Sequence, residues 1–223
     1  MLSANGPRAH GHQHFKMQSL SPRRTITVDS NRSYLRLIDT RTQGRRYDVT
    51  PLFADGQAFA RLIHDLSSRC GDLAFDVVAG IDALGFILGA AIALHTRRGF
   101  VPIRKGGKLP VAADAVRFTD YSGQEKTLEL RTGVIRLGTP VLLVDEWIET
   151  GAQVAAAITL IEGQGGLVAG IAGIHMDENA ATRRLSERYP CRMLSGWLTA
   201  GTWTGDTNRR GRRASRWPWL CLQ

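Results

Sequence analysis

Cysteine is scarce in this chain. Cys70, Cys191 and Cys221 stand far apart and in an odd number. They match no metal-binding spacing and no disulfide framework, so they read as buried or incidental thiols of a protein kept in a reducing cytoplasm. Long apolar runs are missing too. Nothing approaches the ~18 consecutive apolar residues of a membrane-spanning helix, and Met1–Leu20 has no apolar stretch of the kind that marks a secretory leader. Neither a Gly-x-Gly-x-x-Gly fingerprint nor a Walker A motif occurs, which argues against Rossmann dinucleotide binding and P-loop chemistry. Acidic residues are almost absent from the two ends. Residues 1–24 hold Arg8, Lys16, Arg23 and Arg24 without an acid, and residues 205–223 hold five arginines against Asp206. The formal net charge of +9 therefore belongs to the ends, and the middle of the chain is close to neutral.

That distribution divides the chain. Residues 1–30 read as a disordered basic N-terminal extension, 31–199 as one α/β domain, and 200–223 as a disordered basic C-terminal tail. The ends are either solvated extensions or a surface for nucleic acid or membrane, where Trp217, Trp219 and Leu220 would act as interfacial anchors. No helix-turn-helix segment accompanies them. His10, His12 and His14 are either a weak metal site or irrelevant, the latter if translation starts at Met17 rather than Met1.

What is abundant is alternation of short apolar runs with helical patterns. Phe75–Asp82, Gly99–Ile103, Val141–Val144 and Leu167–Met176 predict inner strands. Gln57–Cys70 predicts an amphipathic helix on Phe59, Leu62, Ile63 and Leu66. Ala83–His95 predicts a largely buried helix, Val154–Ile161 another, and Glu178–Tyr189 a surface helix ended by Pro190. Ser33–Asp39 reads as an entry strand, and Thr127–Leu130 with Gly133–Leu137 as short strands flanking a turn. Lys105–Tyr121 reads as a long mobile loop, and Cys191–Leu198 as a final strand at a hood. The order predicts an α/β fold, a mainly parallel twisted sheet flanked by helices.

The chemistry concentrates in VLLVDEWIETGAQ, Val141–Gln153. An inner strand delivers Asp145 and Glu146 to its carboxyl end, where open α/β sheets bind ligands. Thr150-Gly151-Ala152 then turns the backbone into a helix whose free N–H groups make an anion cradle. Two acids beside such a cradle suit a sugar phosphate, the carboxylates taking hydroxyls or a metal and the amides taking phosphate. The plain alternative is a buried strand ending in two solvated acids.

Three segments carry a resemblance. VLLVDEWIETGAQ resembles the phosphoribosyl-pyrophosphate (PRPP) signature of type I phosphoribosyltransferases. FDVVAGID followed downstream by RKGGKLP (Arg104–Pro110), and RRYDVTPLFAD (Arg45–Asp55) upstream, are similar to the adenine phosphoribosyltransferase branch. The likeness is colinear from about Arg45 to about Gly196. It implies a type I phosphoribosyltransferase-like fold with a small hood, and transfer of 5-phosphoribosyl from PRPP to a purine base, adenine by resemblance, with pyrophosphate released. It implies Asp145 and Glu146 on the ribose, Asp120 and Tyr121 in the lid at catalytic positions, and Thr150, Gly151, Ala152 and Gln153 on the 5′-phosphate. It also implies Arg104, Lys105, Lys108, Asp82 and Ala83 on pyrophosphate, and Arg46, Tyr47 and Asp48 at the base. Mg²⁺ would be held mainly by PRPP rather than by protein ligands, and a homodimer is expected. Read from the residues alone, Arg104, Lys105 and Lys108 also fit a solvated basic loop, Asp120 and Tyr121 a surface loop, and Asp48 a turn or cap.

The departures define the second reading. Glu146 stands where this branch usually has Asp, Glu149 lies inside the phosphate loop, and Gln153 replaces a hydroxyl residue. Leu84 stands where Arg is general, and Arg46 where an aromatic is common. The alternatives are therefore a non-catalytic PRPP- or nucleotide-sensing regulator on the same fold, or a phosphoribosyltransferase for a different acceptor.

Overall fold

The computed structural model describes residues 30–43, 46–120 and 122–194. The two basic ends, with His10, His12, His14 and Cys221, lie outside the described residues, as does Tyr121. A 3-10 helix, Ser30–Leu37, kinked at Arg32, leads into α1 (Thr50–Ala54) and α2 (Gly56–Arg69). Then follow β1 (Val77–Ile81), α3 (Leu84–Thr96), β2 (Gly99–Lys105), β3 (Ala113–Thr119), β4 (Glu125–Arg131) and β5 (Pro140–Val144). The chain continues through β6 (Trp147–Ile148), α4 (Ala152–Gly163), β7 (Leu167–Gly173), β8 (His175–Met176), α5 (Ala180–Arg188) and β9 (Cys191–Met193).

Among the described residues, seven strands form one sheet in the order β3-β4-β2-β1-β5-β7-β9. The strands β2, β1, β5, β7 and β9 run parallel, and the β3–β4 hairpin joins β2 antiparallel. Inner strands are apolar on both faces because both faces are covered. On β5, Leu142 and Val144 enter a core with α2, α3 and the 3-10 helix, whereas Val141 and Leu143 enter a second core with α4 and α5. Two-stranded β6–β8 forms a small separate sheet just past the end of β5. The segment around Tyr47 packs on it and completes a small hood.

Four expectations change. Ser33–Asp39 is helical up to Leu37, because its buried residues Tyr34, Leu35 and Ile38 sit at helical spacing. Only Asp39 is extended, bridged to Asp48. Lys105–Tyr121 is not one loop: Ala113–Thr119 is β3, whose half-buried Val116 and Phe118 pack on the second core. Gly133–Leu137 forms turns rather than a strand, with Gly133 and Gly138 at positive φ and Leu137 89% exposed. Cys191–Met193 belongs to the edge of the main sheet beside β7 and not to the hood.

Candidate active site

The sheet itself selects the location. After β1 the chain crosses to α3 on one face, and after the adjacent β5 it crosses to α4 on the other. The carboxyl ends of β1 and β5 therefore border a crevice at a topological switch point, the place where doubly wound sheets bind ligands. Asp82 and Ala83 stand on one lip, and Asp145 and Glu146 on the other.

The acid pair is buried. Asp145 is 3% and Glu146 6% exposed. Asp145 Oδ1 accepts the Glu146 N–H at 2.9 Å, and Oδ2 accepts Nε2 of Gln153 at 3.1 Å. Burial, reinforced by the charge of Glu146 and only partly opposed by Arg46, pushes the Asp145 carboxyl well above the usual carboxylate range. Glu146 is fixed through its backbone, whose carbonyl accepts N–H groups of Ile174 and His175, and through its side chain, which forms an ion pair with Arg46.

The Thr-Gly loop follows at once. Thr150 Oγ1 accepts the Ala152 N–H at 3.3 Å, and Gly151 begins α4 at φ 78° with no side-chain cap. Beyond Ala152, the opening N–H groups of the helix have no N-cap side chain to accept them. Gln153, expected on phosphate, instead donates to Asp145. Glu149 is tied down through its carbonyl, which accepts Asn179 Nδ2 at 2.7 Å. A side chain at position 151 would be strained by the left-handed φ, with its Cβ 3.1 Å from Leu185 Cδ1. Gly151→Ala is accordingly expected to cost about 1–2 kcal/mol, measured as a lower urea midpoint at unchanged slope.

On the other lip, the Asp82–Ala83 peptide is cis. The Asp82 N–H donates to the Ile103 carbonyl at 3.0 Å, and its Oδ2 accepts the Lys105 N–H at 3.4 Å. The first loop is thereby held beside RKGGKLP. Arg104 Nη1 donates to the Lys108 carbonyl at 2.9 Å, Arg104 Nε is buried without a partner among the described residues, and Lys105 and Lys108 are exposed. Glu129, facing Arg104 across the ladder, accepts the N–H groups of Gly107 (2.6 Å) and Lys108 (3.2 Å). Leu84 packs into the first core and offers nothing to an anion.

Two expected residues serve local structure. Asp120 sits at the tip of the β3–β4 hairpin, where Oδ1 accepts from Ser122 N–H, Ser122 Oγ and Gln124 N–H; these bonds hold its carboxyl below the usual range. Register puts Lys105 opposite Leu128. The tip therefore projects roughly four residues, ~13 Å at strand rise, past the end of β2. Asp48 accepts the Thr50 N–H at 2.9 Å and opens α1.

Sequence reasoning missed the packing that steadies the acids. Trp147, 5% exposed, lies between Tyr47 (ring centroids 5.3 Å apart) and His175 (4.5 Å). Burial pulls the His175 pKa down, although Nε2 lies 3.0 Å from Asp177 Oδ1. Asn179 caps α5 in a reciprocal box with Thr182 while holding Glu149, so α5 braces the Glu149–Gly151 loop. The Asn-x-x-Thr spacing before Leu185 was the available signal. Among the described residues, no group of three or more His, Cys, Asp or Glu could hold a metal ion. None of their helices is long and apolar enough to cross a membrane.

Comparison with known proteins gives a consistent picture. No protein-family model matches the chain. It is 43% identical over 149 residues to an adenine phosphoribosyltransferase of Cereibacter sphaeroides (strain KD131), covering 66% of this chain and 83% of that protein. It is 40% identical over 127 residues to that of Leuconostoc citreum, covering 57% and 72% respectively. Among solved structures it is similar to adenine phosphoribosyltransferase from Thermoanaerobacter pseudethanolicus, at TM-score 0.68 and 29% identity over 74% of this chain and 98% of that one.

Proposed function

Since the chain belongs to the adenine phosphoribosyltransferase family of type I phosphoribosyltransferases, we propose that it transfers the 5-phosphoribosyl group of PRPP to a ring nitrogen of a heterocyclic base, adenine being the first candidate, and releases pyrophosphate. The observation that carries this reading is the buried acid pair at the end of β5, followed directly by the side-chain-uncapped start of α4.

The reaction builds positive charge on the ribose while negative charge collects on the leaving group. Asp145 and Glu146 hold the ribose hydroxyls and stabilise that positive charge from a site shielded from water. The N–H groups of Gly151 to Gln153 and the Thr150 hydroxyl hold the 5′-phosphate. Arg104, Lys105 and Lys108, with the Asp82–Ala83 turn, hold the pyrophosphate. The β3–β4 hairpin is the lid, and exclusion of water protects the activated ribose from hydrolysis. Mg²⁺ would be held mainly by PRPP, with the carboxylate oxygens of Asp145 and Glu146 of a type that suits it, and would neutralise charge on the leaving group.

Pyrophosphate release from PRPP and Mg²⁺, measured across a panel of bases, tests the reading. Release that requires a base supports it. PRPP binding by calorimetry without release for any base would instead favour a sensing role, a second reading motivated by the Arg46–Glu146 ion pair at the ribose carboxylate.

Glu149 provides a separate test. Facing a phosphate at ~4 Å, its charge would cost about 1 kcal/mol in water-like surroundings and about 4 at intermediate dielectric. Glu149→Ala is therefore expected to tighten PRPP binding about fivefold or more in titration calorimetry. Unchanged affinity would mean that the carboxylate is turned from the phosphate.

We also propose a homodimer formed through α3. Ile87 (43% exposed), Ala90 and Leu94 (82%) lie along one exposed apolar line of that helix. Leu94→Glu is expected to shift the sedimentation coefficient to that of a monomer. The cysteine usage supports a cytoplasmic protein: burial pushes the Cys70 thiol up to about 11, which keeps it unreactive.

A further inference from the structure

Glu146 is one of two buried carboxylates at the ribose position, and it already has a cation. Arg46 reaches it from the hood segment. The two partners differ in exposure: the Glu146 side chain is 8% exposed and that of Arg46 42%. The Arg46 side chain thus keeps part of its surface open while it pairs with a buried carboxylate. A guanidinium presents five N–H donors in a flat fork, and among the described residues Glu146 is the partner of the Arg46 guanidinium, while Thr42 Oγ1 donates to the Arg46 carbonyl. The neighbouring wall is aromatic, with Tyr47 edge-on to Trp147, whose buried indole N–H has no partner among the described residues. A planar ring entering beside the ribose therefore meets the Arg46 cation, next in sequence to the half-buried Tyr47.

A neutral base gains little from that cation. Arg46 would oppose the positive charge developing on the ribose, and it would shield Glu146, the carboxylate meant to stabilise that charge. An anionic group on the base removes both penalties. It takes the fork in bidentate fashion and frees the Glu146 oxygens for the ribose hydroxyls. We propose that the acceptor is a planar nitrogen heterocycle bearing a carboxylate or an ionised enol, and that Arg46 is the residue that selects it. The proposal rests on the phosphoribosyl-transfer reading of the same site. In the step itself, the ring-nitrogen lone pair forms the bond to C1 as the C1–O bond breaks, and that electron pair leaves with pyrophosphate. A pyridine-type nitrogen releases no proton, and an N–H acceptor gives its proton to water.

The test compares probes of like shape and different charge. Pyrophosphate release by the full chain with PRPP and Mg²⁺ is measured with nicotinate against nicotinamide, and with orotate against adenine. The expected result is kcat/KM at least tenfold higher for the carboxylates. Arg46→Gln should lower the nicotinate-to-nicotinamide ratio tenfold or more, and Arg46→Lys should restore part of it, with circular dichroism verifying the fold of each variant. A preference for adenine, or a loss in Arg46→Gln shared equally by all acceptors, overturns the proposal and leaves phosphoribosyl transfer standing. If no probe supports release, titration of nicotinate and orotate into protein with PRPP decides. Binding that disappears in Arg46→Gln upholds anion recognition and sinks the transfer reading. No binding sinks both.

Discussion

Asp145→Asn is expected to lower turnover by about 10²–10³-fold, the scale of removing one preorganised electrostatic partner of a transition state, while the protein stays folded and melts at or above the parent temperature. The two halves of this expectation share one cause. Asp145 is 3% exposed and lies next to a second acid, so its charge is costly in the fold and useful only when positive charge grows beside it. An amide side chain keeps the acceptor for the Glu146 N–H, and Gln153 can rotate its own amide to pair with it. The dependence on pH follows. In the unfolded chain the carboxyl loses its proton near the ordinary ~3.9, and in the fold only well above that, because burial and Glu146 raise it. Between those values the unfolded state binds fewer protons, so this group's contribution to stability falls as pH rises. Asparagine does not titrate. The advantage of the variant in thermal melts should therefore grow as pH is raised from about 4 toward neutrality. A variant that turns over at the parental rate would remove Asp145 from the reaction.

Gly85→Ala is the substitution expected to damage the framework most for the least added volume. A Cβ there would lie 2.7 Å from the Val144 carbonyl and 3.3 Å from both Cα and Oδ1 of Asp145. Two of those atoms are backbone and cannot swing aside, so the first turn of α3 must lift off β5. Alanine favours a helix over glycine by ~1 kcal/mol, but overpacking of this kind costs about 1–3 kcal/mol, and a backbone obstacle puts it at the upper end. The expected outcome is a net loss of about 1–2 kcal/mol in urea unfolding together with a rise in KM for PRPP. Gly56→Ala, in the first turn of α2 where nothing lies within 4 Å, is the control expected to leave KM unchanged and stability unchanged or slightly higher.

The inner sheet was legible because its strands announce burial on both faces. Val141–Val144 admits no other reading once Asp145 and Glu146 follow it. The long helices were legible as well, since α2 (Gly56–Arg69) repeats its apolar residues at helical spacing behind a capping Asp55. The hairpin was hidden. Charged residues and glycines flank Ala113–Thr119, and its alternation is carried by two residues, Val116 and Phe118, that are only half buried. At the site, the acids and the Thr-Gly turn were readable from order along the chain. Their supports were not, because these arrive from distant sequence: Arg46 is 100 positions from Glu146, and Asn179 is 30 from Glu149. A single chain records such pairs only as isolated polar residues. Glu129 was missed for the same reason, since only strand register brings it opposite Arg104.

The crossing of α3 and α4 to opposite faces has an electrostatic consequence. Both helices, of 13 and 12 residues, begin at the crevice, and each macrodipole places roughly half a positive elementary charge at its start. Together they supply about one unit of positive potential from peptide groups alone. That potential does not titrate and cannot be lost by replacing a side chain. A site that has Leu84 in place of an arginine therefore keeps an attraction for anions at both ends of the crevice. Its salt and pH dependence should be shallower than that of a pocket built from lysines.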